Sequence, residues 1–287
     1  MYDTNAYQMR IDAHQHYWDP EILHYFWMPP EAGLLRRKYL PADLEPIYKR
    51  NGIDGSIVVQ AAQVPEEAQW LLDLSDRYAS ILGVVAWVDL TDPRLGRTLD
   101  KLQRHPKFKG VRHLIQDEAD PRWGLRADVL GGLKELARRD VQYEVVVRLP
   151  HLPHVSAMLE QVPDLRAIID HIGKPRIADG TFDGWAEHMQ RLAQFPQLYV
   201  KLSGLVTEAK PYEWKMEDLR PYAQAVYGWW GPDRVVFGSD WPVCLTAARS
   251  WKEVLAVLTQ ALGPLPQDAH AKLMGENAAR YYKLGVL

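Results

Sequence analysis

Apolar runs of strand length, rich in β-branched residues, recur along the chain at 9–13, 55–60, 82–88, 110–114, 143–149, 166–170, 198–202 and 234–238. Runs such as Ser56-Ile57-Val58-Val59 and Glu144-Val145-Val146-Val147 lack clean alternation, the mark of strands covered on both faces. Between them lie segments with helical spacing and recognisable starts. Pro65-Glu66-Glu67 leads into Trp70, Leu71 and Leu74; Asp92-Pro93 into Leu95, Leu99 and Leu102; Asp183 into Trp185, Met189 and Leu192. Ser250 with Glu253 three positions on reads as a capping box ahead of Val254, Leu255 and Leu258, and a last helix is expected over 267–282. Strands that alternate with helices and lack hairpin turns pair in parallel through right-handed crossovers. The pattern predicts an α/β fold, a (β/α)8 TIM barrel. The alternative, an open doubly wound sheet, would want a Gly-rich phosphate loop after the first strand, and none is present.

The 287 residues suit one large core, and no Gly/Ser-rich, Pro-rich or charge-block linker divides them, so a single barrel domain over 1–287 is expected. A net charge of -3 argues against nucleic-acid and anionic-membrane surfaces, which need clustered Lys and Arg, and leaves a small molecule as the partner. The polar first ten residues and the lack of a membrane-length apolar run predict no leader and no span. The lone cysteine, Cys244, predicts a cytoplasmic protein held by packing alone. Nothing in the pattern sets an oligomeric state.

Chemistry gathers at the carboxyl ends of the apolar runs, where a parallel barrel builds its site. In order these ends carry His14 and His16; Gln60 with Gln63; Asp89; Arg112 and His113; Arg148 and His151; His171; Lys201 and Ser203; and Asp240. In an extended segment His14 and His16 point the same way and can share one ligand or metal ion. A single histidine is more often a structural residue, but a set aligned at strand ends is not explained that way. For Asp240 the bland reading is a helix N-cap, which the following Trp241-Pro242 disfavours.

The stretch Ile11-Asp12-Ala13-His14-Gln15-His16-Tyr17-Trp18-Asp19, with Gly110-Val111-Arg112-His113, Ile169-Asp170-His171-Ile172-Gly173-Lys174-Pro175 and Phe237-Gly238-Ser239-Asp240-Trp241-Pro242, resembles the amidohydrolase superfamily. More narrowly it resembles the amidohydrolase-related branch of sugar-lactone hydrolases that includes L-fuconolactonase and L-rhamnonolactonase. The likeness runs through Asn277-Ala278-Ala279-Arg280. It implies a metal-dependent-hydrolase-like barrel in which His14, His16, His171 and Asp240 surround a catalytic water, with or without a divalent metal. Many relatives carry a carboxylated lysine at the end of the fourth strand to bridge two metals. Here Lys109 precedes the predicted strand, which argues for one metal or none.

Lactone opening needs a base for water, an electrophile for the carbonyl and a group to protonate or stabilise the leaving alkoxide. Asp240 is the expected base, with apolar surroundings expected to raise its pKa. A Zn²⁺ ion, the expected metal, held by His14, His16 and Asp240 with His171, would act as Lewis acid and lower the pKa of its water. Without metal, which the reading treats as dispensable, the imidazoles and Arg112 would polarise the carbonyl. His113 and His151 are expected to touch substrate or to protonate the ring oxygen, which puts His151 beside Asp240 and His171 in the catalytic set. Of 11 tryptophans, Trp18, Trp27, Trp123 and Trp241 fall in loops after strand ends, where Trp27 and Trp241 would pack on a sugar-like ring, although most tryptophans simply pack. The segment 17–39 is too long for an ordinary connection and reads as a lid or pocket wall. The reading is a hydrolase that opens an L-fucono-lactone-like aldonolactone. The alternatives are a metal-dependent decarboxylase of an aromatic or muconate-like acid and a ligand-binding barrel without turnover.

Overall fold

The structure is a computed structural model, and it describes residues 8–28, 31 and 33–285. Eight strands form one parallel sheet in sequence order. They are β1 (Ile11–Gln15), β2 (Gly55–Val59), β3 (Ile81–Ala86), β4 (Phe108–His113), β5 (Gln142–Val145), β6 (Ala167–Ile169), β7 (Tyr199–Leu202) and β8 (Val235–Phe237). Each predicted strand is present, and the helices expected after Pro65, Asp92-Pro93, Asp183 and Ser250 begin at Pro65, Leu95, Trp185 and Trp251, between or after the strands. Ser250 caps its helix as expected, its Oγ accepting from the Glu253 N–H at 3.1 Å, but the Glu253 carboxylate reaches the Arg249 N–H instead of closing a reciprocal box. Among the described residues no helix is long and apolar enough to cross a membrane.

The sheet curls until β1 meets the chain leaving β8, a nearly closed barrel. The seam lies at the carboxyl edge, where Gln15 bridges Trp241, the His16 N–H donates to the Trp241 carbonyl at 2.7 Å and the Asp240 N–H to the His14 carbonyl at 2.8 Å. The interior is layered. Ile11, Ala13, Ile57, Val59, Val85, Ile168 and Val236 form an apolar plug together with Ala278, Tyr281 and Tyr282 from the C-terminal helices. Above the plug lies a polar layer containing Arg112, Glu144 and Lys201. The opposite strand faces, Val58, Val84, Val111, Val145 and Val200 among them, pack under the helices.

Two departures from expectation have local causes. The fifth run stops being a strand at Val145 because the Val146 carbonyl is taken by the Gln116 N–H, at 3.1 Å, from the loop after β4. The last helix is not continuous: it runs over Gln267–Ala271 and Asn277–Tyr281 around a wider π-helical stretch, Lys272–Glu276. There Gly275 lies against the Met9 backbone so closely that no side chain would fit. Lys109, expected ahead of β4, is its second residue, at the end of the strand away from the site.

Asp12 ties the seam to the outer helices. Its carboxylate accepts from the Ser239 N–H at 2.8 Å, the Tyr48 hydroxyl at 2.9 Å and the Trp251 Nε1–H at 3.2 Å, and all of Asp12 is buried. Removing a buried acceptor leaves its donors without partners, at about 1–3 kcal/mol each. Asp12→Ala is therefore expected to destabilise the fold by about 3 kcal/mol or more, read from the midpoint of urea unfolding. A midpoint close to the parent's would show that the seam does not depend on this carboxylate.

Candidate active site

The β1–β2 register shifts between Asp12 and Gln15, so Asp12 faces the helices while His14 turns into the barrel. The His14 and His16 Nε2 atoms come within 3.1 Å of each other. Asp240 Oδ1 lies 3.4 Å from His16 Nε2, 3.8 Å from His14 Nε2 and 3.9 Å from His171 Nε2. Gly238 makes room: a Cβ there would sit 2.7 Å from the His14 Cβ. Asp240 itself is held in the left-handed region, φ 58°, ahead of a cis Trp241–Pro242 peptide bond.

His171 is delivered by unusual backbone. From His171 to Lys174 four successive residues have positive φ (52°, 47°, 69° and 49°), one of them the β-branched Ile172. Each non-glycine residue in that region costs about 1–2 kcal/mol. Packing and hydrogen bonds hold the turn: the Trp185 Nε1–H donates to the Ile172 carbonyl at 2.8 Å, and His171 Nδ1 meets Ser203 Oγ at 2.9 Å. Gly204 lets the imidazole lie flat against the chain, since a Cβ would be 2.8 Å from its ring.

Beneath the histidines sits a buried ion cluster. The Lys201 ammonium lies 2.6 Å from Glu144 Oε2, 3.1 Å from Asp170 Oδ1 and 2.9 Å from His14 Nδ1. The other Asp170 oxygen takes Arg112 Nη1 at 3.1 Å. His14 Nδ1 meets the Lys201 ammonium, and His14 Nε2 lies 3.4 Å from Arg112 Nη1. His16 Nδ1 donates to the Val59 carbonyl at 2.7 Å. Lys201, His14, His16 and Val59 thus stand in one continuous line of contacts.

Charge states follow from burial and neighbours. Burial, then the adjacent Lys201, hold His14 well below the ordinary histidine range. Burial lowers His171 to about 4, the nearby Asp240 and Asp170 only partly opposing it. For Asp240 the expected upward shift is reversed. Burial pushes up, but His171, the His16 hydrogen bond and His14 together outweigh it and hold the carboxylate below its usual range.

His14, His16 and Asp240 offer two imidazole nitrogens and one carboxylate oxygen within 4.8 Å of one another, a donor set that suits zinc. His16 and His14 would ligate through Nε2 and Asp240 through its carboxylate, with Asp170 Oδ1 3.5 Å from His14 Nδ1 on the far side of that ring. His171 falls in a separate group with His14 and Asp170, so the four expected ligands divide into a facing trio and a neighbour.

Over this floor opens a cavity of about 440 Å³. Trp18, Phe26, Trp27, Leu114, Val146 and Val243 give it an apolar wall, and Arg112, Gln116, Asp117, Arg148 and Lys174 a polar one, with His16, His171 and Asp240 between. The expected Arg112 and Trp27 are there, as are His16, His171 and Asp240. Of the expected residues, His14 is fully buried below the lining, and three others are not part of it. His113 follows the inward Arg112 on β4 and so faces out, stacked on Trp123 at 4.1 Å and bound to Glu118 at 2.6 Å. His151 precedes the helix Leu152–Gln161 and binds the Glu118 carbonyl at 3.0 Å. Trp241 is buried edge-to-face against Tyr17 and Tyr39, behind Asp240. The segment 17–39 does wall the cavity through Trp18, Phe26 and Trp27; Pro29, Pro30 and Ala32 lie outside the described residues. Glu144, Asp170 and Lys174 are functional positions that the pattern of runs and strand ends does not mark, although a charged residue within or just after a strand buried on both faces needs a partner inside the barrel.

A parallel eight-stranded barrel with a His-x-His pair at the end of its first strand and an aspartate after its last defines a barrel of the amidohydrolase type. The chain belongs to the Amidohydrolase family, whose pattern it matches over residues 11–284. It is 36% identical over 283 residues to an L-fucono-1,5-lactonase of Burkholderia ambifaria, and 38% identical over 290 residues to one of Burkholderia multivorans; each comparison covers 96% of both chains. The crystal structure of an amidohydrolase from Burkholderia multivorans with bound zinc superposes with a TM-score of 0.90 at 37% identity, covering 96% of this chain and 99% of that one.

The buried, neutral His171 links stability to pH. Its folded pKa of about 4 lies below the ordinary 6.5, so between these values the unfolded chain binds more protons and stability falls as pH drops. One such group costs about 1.4 kcal/mol per pH unit in that window. Urea unfolding at pH 7.5 and 4.5 is expected to show the loss, and His171→Asn to remove about 2 kcal/mol of it. An unchanged pH slope in the variant would show that His171 is not the linked group.

Proposed function

We propose that this chain hydrolyses a sugar-acid lactone, an aldono-1,5-lactone of the L-fucono type, to the free acid. The observation that carries the reading is the convergence of an ionised Asp240 with His14, His16 and His171 on the floor of a cavity that has one aromatic wall and one polar wall. The two full-length relatives, each named an L-fucono-1,5-lactonase, support it.

In this mechanism the lactone ring lies along Trp18 and Trp27, the latter fixed by its Nε1–H bond to the Ala61 carbonyl at 2.7 Å. Its hydroxyls face Gln116, Asp117 and Arg148. Arg112, on the cavity wall, is placed to polarise the carbonyl. Asp240 takes the proton of the attacking water, a role its lowered pKa keeps available throughout the neutral range. His14, His16 and Asp240 would hold a zinc ion, which supplies Lewis acidity and a more acidic water when bound. The single cysteine, Cys244, buried and unpaired, supports a cytoplasmic location.

The test is acid release from a panel of aldonolactones, followed with a pH indicator, with and without a chelator and alongside metal analysis of the purified protein. Turnover of a few stereochemically related lactones is expected, and Asp240→Asn should lower kcat at least about 100-fold while leaving the fold intact. Retention of more than about a tenth of the activity would remove Asp240 as the base. Activity unaffected by chelation would assign the electrophile to Arg112 and the imidazoles.

A further inference from the structure

Breaking the acyl–oxygen bond of a lactone of aliphatic alcohol type expels an alkoxide, which leaves poorly unless it is protonated. The two histidines expected to do this, His113 and His151, lie outside the cavity. Among the described lining residues, the remaining N–H donors can be sorted by what they can give. The guanidiniums of Arg112 and Arg148 donate hydrogen bonds but do not release protons. The ring N–H of His16 is committed to the Val59 carbonyl. His171 meets Ser203 through one nitrogen and turns the other toward Asp240. The indole N–H groups of Trp18 and Trp27 are bound to the Leu35 and Ala61 carbonyls. Lys174 is left as the cation on the cavity wall with a proton it can pass on.

Its placement is built. Lys174 ends the left-handed turn that begins at His171, with its own φ at 49°, so the backbone that aims His171 at Asp240 also carries Lys174 to the polar wall. Its ammonium lies 3.6 Å from Glu208 Oε1, and the two side chains are 16% and 17% exposed. Glu208, at the end of the helix Leu205–Glu208, balances the charge at a distance too long for a full hydrogen bond, which leaves the ammonium protons for a ligand.

We propose that Lys174 is the catalytic residue that protonates the leaving ring oxygen. The inference rests on the lactonase reading above. Water oxygen bonds to the carbonyl carbon as Asp240 takes its proton; the bond from that carbon to the ring oxygen breaks as a proton passes from Lys174 Nζ to the oxygen. The proton on Asp240 then returns to Lys174 through solvent, and the sum is one water added.

Two variants test this on an aldono-1,5-lactone and on dihydrocoumarin, an aryl lactone whose phenolate leaves without protonation. Lys174→Met removes charge and proton, while Lys174→Arg keeps the charge only. Both are expected to lower kcat on the aldonolactone about 100-fold or more with KM within about threefold, and to cost less than about tenfold on dihydrocoumarin. Lys174→Arg retaining more than a tenth of the parent kcat, or a loss confined to KM, would make Lys174 a binding cation and overturn the proposal. Equal losses on both lactones would also overturn it, by showing a structural effect. A parent enzyme that opens neither lactone would overturn the lactonase reading itself, a result separable from any variant's.

Discussion

The Lys201 ammonium is the interaction on which the rest of the barrel depends. It is fully buried at the end of β7, and an uncompensated cation there would cost several kcal/mol or more. Compensation comes from Glu144 on β5, Asp170 after β6 and His14 on β1. Four parts of the ring are thereby fixed in register by one group. The same contact holds the His14 ring, whose Nε2 lies 3.1 Å from that of His16. The arrangement that makes the polar interior affordable is also the one that orders the site above it.

Closure and chemistry share an edge for a related reason. The seam bonds run from His14 and His16 to Asp240 and Trp241, and the side chains of three of those four residues form the site floor. Trp241 contributes differently, by filling the space behind Asp240 with an indole packed on Tyr17 and Tyr39. An ionised aspartate can then sit in a largely dry setting because three imidazoles face it. Burial alone would have driven it toward the neutral acid.

Much of this was legible in the sequence. Strands covered on both faces leave apolar β-branched runs whose position does not depend on tertiary detail, so all eight were readable, as was the line of polar groups at their ends. What failed was facing. Arg112 and His113 are neighbours on one strand and cannot both look inward, an alternation that by itself excludes His113 from the site. His151 belongs to a helix start rather than a strand end, because β5 is cut short by a hydrogen bond from a different loop. Asp170 and Glu144 are not legible as partners, because one closes an apolar run and the other is a single acid within one. Their meaning appears only when Lys201 is seen to need them. The left-handed turn after β6 has a glycine in its sequence but nothing that announces three further residues of the same hand.

The position of the seam also sets an order in time. Asp12 and Ser239, joined by a hydrogen bond, are 227 positions apart, so the histidine pair leaves the ribosome long before the aspartate it must face. Contacts of such separation come late in folding, because the intervening loop must first be closed. The reactive floor therefore does not exist on any partly made chain. It is assembled in the same event that completes the ring, and a nascent chain carries its paired histidines for most of its synthesis without the aspartate they face.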